Sequence, residues 1–408
     1  MFRIDARCPD SLARRGVLSL AHGEVQTPAF VPLATRGAVR TLEPRDVAAL
    51  GYEMVLGNTF HLMLAPGPEL VRQLGGLHEL MRWERPIITD SGGFQVFSMG
   101  HGGVADEIKG RGARGPAGAS GPGGRILAIE EQGVRFRSYI DGGERFMAPE
   151  TSMAVQAALG SDIALVFDEC TPYHVTRDYT ARSMERTHRW LERCLQWHRD
   201  HGPRDQVVYG IVQGGVERDL RVQSVGAVAV SGCDGIAIGG SLGRDKAQMH
   251  EVVGWCTADL ERAAPDRPRH LLGIGEVDDL IVGVQAGIDT FDCAMPTRLA
   301  RHGVALIPDP GSRWRLDVAK GRWRHSPEPL LDGCPCPACA GGFSRAYLHH
   351  LLRAREPTAL RLLTLHNLGF IARLMEDLRA AIKAGRLSQM AAALRSGGAP
   401  GTLTSCTG

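Results

Sequence analysis

A carboxylate at the end of an apolar run is the first candidate for chemistry in this sequence. Asp292 directly follows Thr290 and Phe291, and the basic residues Arg298 and Arg301 come shortly after it. A carboxylate in this position is a candidate nucleophile, and guanidinium groups near it indicate a substrate that carries phosphates. The structural alternative is an aspartate that only caps the next turn. That alternative loses ground because two other segments present carboxylates in the same way.

Eight short apolar runs alternate with stretches that are long enough for helices. The runs are 29–31, 54–56, 86–88, 163–167, 207–209, 235–238, 270–272 and 289–291. Segments 151–159 and 181–198 have the periodicity of helices. Strands that alternate with helices predict a parallel sheet, and eight of them predict an α/β fold in which the sheet closes into a (β/α)8 barrel of the TIM type.

The active site of such a barrel lies at the C-terminal ends of its strands. Three aspartates, a glutamine, an asparagine, a threonine and four glycines fall at those ends, namely Asp90, Asp168, Asp292, Gln213, Asn58, Thr59, Gly239, Gly240, Gly273 and Gly275. Purely structural carboxylates would not be expected to gather at one end of the strands. The sequence therefore predicts an active site at the mouth of the barrel.

Composition sets the outer limits. A chain of 408 residues with 43% apolar content has room for one large barrel and a small appendage, or for two ordinary domains. No apolar run approaches the ~18 residues of a membrane span, and residues 1–15 lack the apolar core of a signal peptide. The ten cysteines have no framework spacing, so we expect reduced thiols and a cytoplasmic protein.

The net charge of +2 does not by itself indicate a nucleic-acid binder, but basic residues are locally dense. They are Arg298, Arg301, Arg313, Arg315, Lys320, Arg322 and Arg324, interleaved with Trp314 and Trp323. Such a segment beside the barrel mouth suits a nucleic-acid backbone. An ordinary solvated hairpin face is an alternative of equal weight.

Three cysteines within six residues, Cys334, Cys336 and Cys339, indicate a metal site. Zinc prefers four ligands in a tetrahedron, and His349, His350 or His366 could supply the fourth. The first two lie in a helical stretch at 344–353, whereas the third follows another helical segment and could fold back onto the cysteines. A closed set of four ligands predicts a structural metal rather than a catalytic one.

Several motifs in the same order resemble the bacterial tRNA-guanine transglycosylases, also called queuine tRNA-ribosyltransferases. They are residues 90–95, 167–173, 211–214, 291–298 and the three-cysteine cluster with its histidine. The resemblance implies a pentosyltransferase of queuosine biosynthesis. It would exchange the wobble guanine of tRNAs with GUN anticodons, those for aspartate, asparagine, histidine and tyrosine, for a 7-deazaguanine base. The base would be preQ1, with queuine as the alternative, and the reaction would pass through a covalent Asp–ribose intermediate.

The resemblance also implies roles for individual residues. Asp292 would be the nucleophile on ribose C1′, and Asp90 the general acid/base that takes a proton from the incoming base. The base would be bound by Asp90, Ser91, Gly92, Gly93, Phe94, Asp168, Gln213 and Gly240, with Phe94 stacked on its ring. The tRNA would contact Gly273, Ile274, Gly275, Glu276, Val277, Asp278, Asp279, Thr297, Arg298, Leu299, Ala300 and Arg301. One structural zinc ion would be held by Cys334, Cys336, Cys339 and His366, and the family is typically a homodimer.

We expect a catalytic barrel at 1–305, a zinc-binding subdomain with closing helices at 306–395, and a flexible tail at 396–408. A glycine-rich insertion at 101–124 departs from the family and predicts a flexible loop. After the sixth barrel strand, Gly243 stands where many bacterial relatives have valine. This predicts space for a larger 7-substituent and hence tolerance of queuine, whereas Cys170 matches the bacterial pattern and favours preQ1.

Three other functions were weighed against this one. A queuine-salvaging enzyme of the same family stays open. A barrel glycoside hydrolase also attacks an anomeric carbon, but a sugar ring does not need the purine-edge reader Gln213 or the stacking residue Phe94. A non-catalytic tRNA-binding paralogue is disfavoured because the chain keeps both Asp90 and Asp292.

Overall fold

A closed ring of eight parallel strands is the centre of the structure, which is a computed structural model that describes residues 2–100 and 126–402. The strands of the chain are β1 (Phe2–Arg7), β2 (Arg14–Leu20), β3 (Gly23–Thr27), β4 (Ala29–Val31), β5 (Val55–Gly57), β6 (Ile87–Thr89), β7 (Ile126–Ile129), β8 (Val134–Arg137), β9 (Glu144–Met147), β10 (Ile163–Leu165), β11 (Val207–Val212), β12 (Gly235–Ile238), β13 (Arg269–Leu271), β14 (Thr290–Asp292), β15 (Val304–Leu306) and β16 (Arg315–Asp317). The barrel order is β4-β14-β13-β12-β11-β10-β6-β5.

The ring closes between its first two strands. A parallel bridge joins Leu33 to Leu56, and the N–H of Leu56 donates to the carbonyl oxygen of Pro32 at 2.9 Å. Each of the eight apolar runs read from the sequence overlaps one barrel strand, so the predicted (β/α)8 barrel is confirmed. Two antiparallel sheets, β1-β2-β3 and β7-β8-β9, and the pair β15-β16 are additions that the sequence reading did not include.

The helices are α1 (Pro44–Ala49), α2 (Thr59–Leu64), α3 (Pro68–Gln73), α4 (Gly76–Met81), α5 (Gly93–Gly100), α6 (Pro149–Leu159), α7 (Arg177–His201), α8 (Arg218–Val230), α9 (Lys246–Ala263), α10 (Val277–Gln285), α11 (Met295–Arg301), α12 (Pro337–Ala340), α13 (Arg345–Ala354), α14 (Pro357–Lys383) and α15 (Leu387–Arg395). Short 3-10 turns occupy Pro310–Ser312 and Gly321–Trp323. The helices read at 151–159 and 181–198 lie within α6 and α7, and the helical stretch read at 344–353 overlaps α13. None of the helices in the described ranges is both long and apolar enough to cross a membrane.

Helix α7 shows how the sequence pattern places a helix on the barrel. The hydroxyl of Thr176 accepts a hydrogen bond from the N–H of Tyr179 and caps the first turn. Met184, Trp190 and Leu191 lie on its buried face, as their spacing predicts. The ring of Trp190 stacks on a barrel phenylalanine that follows β10, with ring centroids 4.9 Å apart.

Polar clamps close the end of the barrel where the strands begin. The guanidinium of Arg14 forms a fully buried ion pair with Asp289 at 2.6 Å. Asp162 accepts hydrogen bonds from the backbone N–H groups of His22 at 3.0 Å and Ile87 at 2.8 Å. The rings of His22 and His78 stack against each other beside this carboxylate, with centroids 3.6 Å apart. Nδ1 of His22 also lies 2.9 Å from Oδ1 of Asp162, so this carboxylate joins the segments that carry His22 and Ile87.

The long helix α14 joins the barrel to the C-terminal subdomain. Asn367 in this helix accepts a hydrogen bond from the N–H of Leu306 at 2.8 Å and donates to the carbonyl oxygen of Pro296 at 3.0 Å. Part of the segment read as a flexible tail contacts the same helix, since the N–H of Gly401 donates to Asp377 at 2.7 Å. The insertion at 101–124 and residues 403–408 lie outside the described residues, and the domain boundaries stay predictions.

Candidate active site and metal centre

The C-terminal ends of the barrel strands surround a cavity of about 170 Å³. Three carboxylates from three different segments, Asp90, Asp168 and Asp292, line it together with apolar side chains such as Phe94 and Ile211. Of the other residues expected at the mouth, Asn58, Gly239, Gly240 and Gly273 line the cavity, and Thr59, Gln213 and Gly275 do not. The arrangement puts acidic groups beside apolar side chains.

Asp292 ends β14, and both hydrogen bonds of its side chain fall on one oxygen. Oδ1 accepts from the N–H of Gly273 at 2.9 Å and lies 3.1 Å from Nε2 of His270. Within the described residues, Oδ2 has no hydrogen bond. A carboxylate fixed through one oxygen can present the other oxygen to a substrate in a defined direction.

Asp90 follows β6 and is held by the residues that follow the neighbouring strand β5. The amide group of Asn58 and the N–H of Thr59 donate to its two carboxylate oxygens, the latter at 2.9 Å. Burial is the main reason that the pKa of Asp90 is raised to about 7. The negative charges of Asp292 and Asp168 act in the same direction, and the backbone hydrogen bonds oppose it. A carboxyl group with a pKa near neutrality can both give and take a proton.

Asp168 forms a third carboxylate on the wall, fixed by two side-chain donors. The hydroxyl of Ser91 donates to Oδ1 at 2.9 Å, and Nε2 of Gln213 donates to Oδ2 at 2.6 Å. Ser91 Oγ in turn accepts from the N–H of Gly93 at 3.1 Å. Burial raises the pKa of Asp168 to about 6, against the two hydrogen bonds, which lower it. Gln213 therefore lies behind the cavity and acts through Asp168 in this arrangement.

The loop after β12 approaches Gln213 so closely that it requires a glycine. Gly240 has φ +76°, and a Cβ at this position would lie 2.2 Å from Oε1 of Gln213. The buried guanidinium of Arg221 holds the loop by donating to the carbonyl oxygens of Gly239 at 2.9 Å and Ser241 at 3.0 Å. The backbone of this loop is thus a fixed part of the cavity wall.

Gly243, which the sequence reading placed near the 7-substituent, is not among the residues that line the cavity. Its φ is +135°, and a Cβ there would lie 2.9 Å from two carbon atoms of Gln248 in helix α9. A turn into α9 and close packing on that helix explain the glycine. The structure therefore gives no geometric support to the argument that Gly243 enlarges the pocket.

Comparisons with known proteins show the family of the chain. A family model described as queuine tRNA-ribosyltransferase matches residues 8–397. A queuine tRNA-ribosyltransferase of Roseiflexus sp. (strain RS-1) is 48% identical over 401 residues, which cover 96% of this chain and 98% of that protein. A protein of the same name from Pelotomaculum thermopropionicum is 43% identical over 389 residues, covering 95% of this chain and 96% of the relative.

The chain belongs to the queuine tRNA-ribosyltransferase family. The resemblance read from its motifs is therefore confirmed, and the chain is an enzyme of the pentosyltransferase class. The family match covers both the barrel and the cysteine-rich subdomain.

A group of four side chains that could hold a metal ion lies between the cysteine turn and helix α14. Nδ1 of His366 is 3.8 Å from Sγ of Cys334, 3.3 Å from Sγ of Cys336 and 3.5 Å from Sγ of Cys339. All four ligand atoms lie within 4.8 Å of one another. A tetrahedral zinc ion with ordinary Zn–S and Zn–N bonds would require sulfur–nitrogen separations of about 3.6 Å. The cluster fits one such ion.

The surroundings of His366 select it as the fourth ligand. Its Nε2 donates to the carbonyl oxygen of Leu306 at 2.7 Å, which leaves Nδ1 free to bind a metal. Nδ1 of His349 instead lies 2.9 Å from the carbonyl oxygen of Val318, and His350 is exposed. The sequence reading put His366 after a helix. That reading was wrong, because the residue lies inside α14, and the cysteine turn folds onto the helix.

The segment expected to hold tRNA after β13 is tied to its neighbours by its acidic residues. Two of its apolar residues, Ile274 and Val277, are buried. Its acidic residues pair with groups elsewhere in the chain: Glu276 with Arg315 at 2.5 Å, Asp278 with Nε1 of Trp314 at 3.1 Å, and Asp279 with His250 at 3.0 Å and Lys246 at 3.1 Å. The ion pairs with Arg315 and Lys246 offset two of these negative charges beside the mouth, whereas the indole of Trp314 only supplies a hydrogen bond.

Helix α11 carries the second predicted tRNA segment, and only part of it is accessible. Thr297 and Ala300 are buried, whereas Arg298, Leu299 and Arg301 are partly exposed. The pKa of Arg301 is lowered mainly by burial, and the positive charges of Arg298 and the exposed Arg40 lower it further. The charges of Arg40 and Arg298 are therefore close enough to act on the guanidinium of Arg301.

The basic segment at 313–324 is partly structural. Trp314 is buried, and Arg315 makes the ion pair with Glu276. The ring of Trp323 lies between the guanidinium groups of Arg322, at 4.6 Å, and Arg345, at 4.9 Å. Trp314 and Arg315 thus hold the hairpin, whereas Arg322 is exposed, and the choice between a nucleic-acid contact and a solvated face stays open.

Sequence reasoning missed two histidines of the site. His61 lines the cavity, and its Nδ1 lies 2.9 Å from the hydroxyl of Tyr139 in the loop after β8. Burial lowers the pKa of His61. His270 was read only as part of a strand. In the sheet it pairs with Thr290 of the neighbouring strand, and Asp292 lies two residues after Thr290. Knowledge of the strand register was needed to recognise that relation.

Proposed function

We propose that this enzyme exchanges the wobble guanine of tRNAs with GUN anticodons for a 7-deazaguanine base. Fixation of Asp292 through one oxygen, beside a carboxyl group whose pKa is about 7, is the observation that carries the proposal. An attacking carboxylate and a group that gives and takes protons are the two parts that base exchange needs.

In the first half of the reaction, Oδ2 of Asp292 attacks C1′ of the wobble ribose. The bond between C1′ and N9 of guanine breaks, its electron pair stays on N9, and Asp90 supplies the proton that N9 takes up. The ribose is then held as an ester of Asp292. In the second half, Asp90 accepts a proton from the incoming base, whose nitrogen displaces the carboxylate from C1′. The two halves balance without an oxidant or a metal.

The base binds against the wall opposite the nucleophile. Phe94 is half-buried at the cavity and supplies an apolar face on which a planar ring can stack. Asp168, fixed by Gln213, and the backbone at Gly240 supply acceptors and donors for the purine edge. Ser91, Gly92 and Gly93 shape the turn beneath the base. We infer preQ1 as the entering base and keep queuine as the alternative.

The tRNA backbone lies across the surface around the mouth. In this proposal the residues that hold it are Gly273, Ile274, Gly275, Glu276, Val277, Asp278, Asp279, Thr297, Arg298, Leu299, Ala300 and Arg301. The exposed guanidinium of Arg40 adds to the charge of the arginines of α11. Contacts of this kind with phosphates make binding depend on salt.

The metal is a single structural zinc ion held by Cys334, Cys336, Cys339 and His366. The donor set and the separations between its atoms support zinc, and four protein ligands leave no open position. The homodimer expected from the sequence stays a prediction, which sedimentation of the metal-loaded protein would test.

Exchange of radiolabelled guanine into transcripts of tRNA with a GUN anticodon tests the function. Label should enter the wobble position and should be displaced by preQ1, and a transcript with adenine at that position should stay unlabelled. A protein that binds the tRNA but incorporates no label would contradict the proposal. Queuine in the same competition decides whether it is accepted.

The role of Asp292 is tested with Asp292→Asn, which keeps size and hydrogen bonding but removes the attacking charge. We expect loss of exchange and of the covalent RNA adduct on denaturing gels, with tRNA binding kept. Asp289→Asn is no suitable control, because that residue is in a buried ion pair. Asp309→Asn, on the exposed hairpin, is the matched control and should exchange normally.

A further inference from the structure

Three polar side chains from neighbouring strands form a chain inside the barrel beneath the cavity. His270 in β13 is paired with Thr290 in β14, and Asp292 lies two residues further along β14. Side chains two residues apart on a strand point to the same face, so all three point into the barrel. The structure gives 2.8 Å from Nδ1 of His270 to Oγ1 of Thr290 and 3.1 Å from Nε2 to Oδ1 of Asp292.

His270 does not belong to the cavity wall. It is fully buried and absent from the residues that line the cavity, and Thr290 is buried as well. A polar side chain in the packed interior of a barrel is retained only when its hydrogen bonds are satisfied. Here both ring nitrogens have partners, and one partner is the carboxylate that the proposed reaction uses.

We propose that His270 is the positioning residue of the nucleophile. An ionised carboxylate can only accept hydrogen bonds, so Nε2 of His270 carries a proton and donates it to Oδ1 of Asp292. Thr290 holds the opposite nitrogen and fixes the plane of the ring. Together with the N–H of Gly273, the imidazole fills the lone pairs of Oδ1 that face the protein. Oδ2 is then the oxygen that attacks C1′.

This inference rests on the proposed function and adds a residue to it. Without the donor at His270, Asp292 keeps one hydrogen bond, from Gly273, and its carboxylate can rotate about the bond from Cβ to Cγ. A carboxylate that populates several orientations attacks C1′ from only some of those orientations. A misplacement of about 1 Å in a reacting group lowers the rate by roughly 100-fold, and partial disorder by less.

Three variants separate positioning from a structural role. His270→Phe keeps the ring volume and removes both nitrogens, whereas His270→Gln keeps a donor near the place of Nε2. Thr290→Val removes the hydroxyl without a change of shape. We expect kcat of guanine exchange to fall about 10- to 100-fold in His270→Phe, with KM for tRNA within about twofold of the parent's. His270→Gln should recover part of that loss, and Thr290→Val should exchange more slowly than the parent.

The measurements are steady-state exchange, the single-turnover rate of adduct formation on denaturing gels, and the unfolding midpoint of each variant. His270→Phe with a parental kcat would overturn the inference. The inference would also be overturned if kcat fell equally in His270→Phe and His270→Gln and in proportion to the fall in their unfolding midpoints, because a structural role predicts that pattern. If His270→Phe does not fold, Thr290→Val decides, and a parental rate of adduct formation there overturns the inference. Failure of the parent itself to exchange guanine refutes the proposed function instead.

Discussion

Replacing Gly240 with alanine tests whether the wall of the cavity depends on close contact between a loop and a side chain. Gly240 has φ +76°, and the added Cβ would lie 2.2 Å from Oε1 and 3.2 Å from Cδ of Gln213. Gln213 cannot simply move, because its Nε2 donates to Asp168 at 2.6 Å and its backbone N–H donates to Ser224 at 3.0 Å. The methyl group must therefore displace either the loop or the amide.

Two contributions set the expected magnitude. A left-handed conformation in a residue other than glycine costs about 1–2 kcal/mol. Loss of the hydrogen bond from Gln213 to the buried carboxylate of Asp168 costs about 1.5–3 kcal/mol more. The free energy of unfolding of Gly240→Ala should thus fall by roughly 2.5–5 kcal/mol. If half of the free energy of this hydrogen bond also contributes to base binding, KM for guanine rises about 4- to 13-fold.

The matched control is Gly232→Ala. Gly232 also has a positive φ, +86°, but a Cβ there meets no atom within 4 Å. This control should lose only the conformational part, about 1–2 kcal/mol, and should exchange guanine normally. Urea unfolding and guanine-exchange kinetics of the two variants give the comparison. The reasoning is refuted if Gly240→Ala is no less stable than Gly232→Ala and keeps the parental KM for guanine.

Three further outcomes are expected. Because Asp90 gives up its proton in the first half of the reaction, its pKa of about 7 predicts that kcat/KM for tRNA falls as pH rises through a limb centred near pH 7, and a limb near pH 4 would contradict it. This folded pKa lies above the value of about 3.9 in the unfolded chain, so the free energy of unfolding falls as pH rises from about 4 to about 7, and Asp90→Asn should lose that part of the fall in urea titrations. Elemental analysis should find one zinc per chain in the parent and none in Cys336→Ala, whose unfolding midpoint should also be lower. Cys256→Ala removes a buried cysteine outside the cluster and should keep one zinc per chain. Arg14→Met leaves a buried aspartate without its partner and should lower the free energy of unfolding by about 3–5 kcal/mol, against no more than about 1 kcal/mol for Arg7→Met in an exposed pair; equal values would show that burial of the pair does not matter.

The barrel could be predicted because its strands are buried on both faces. A run such as 235–238 has only apolar or small residues, and every residue of β12 is buried. Strand ends follow from strand positions, so Asp90, Asp168 and Asp292 were placed at one mouth without coordinates. The cysteine spacing likewise indicated a metal, because few other arrangements explain three thiols so close together.

Contacts between distant segments could not be predicted in the same way. The role of Gly243 was misjudged, because its environment is set by Gln248 in helix α9, and the loop sequence does not contain that information. The spacing alone left His349, His350 and His366 open as the fourth ligand; the family resemblance pointed to His366, and the carbonyl partners of the His366 and His349 rings give the physical reason. His61 is at the cavity because Tyr139, far along the chain, fixes its ring.

The electrostatics of the mouth suggest how one proton serves both halves of the proposed reaction. The charge of Asp292 contributes to the raised pKa of Asp90, so the proton on Asp90 is stabilised while the nucleophile is ionised. Once Asp292 forms an ester, that charge is gone, the pKa of Asp90 falls, and its proton passes more readily to the leaving guanine. When the incoming base releases Asp292, the charge returns and Asp90 again favours the protonated form. Asp90 and Asp292 together thus carry one negative charge throughout the reaction. The buried site never holds two negative charges, and its net charge does not change.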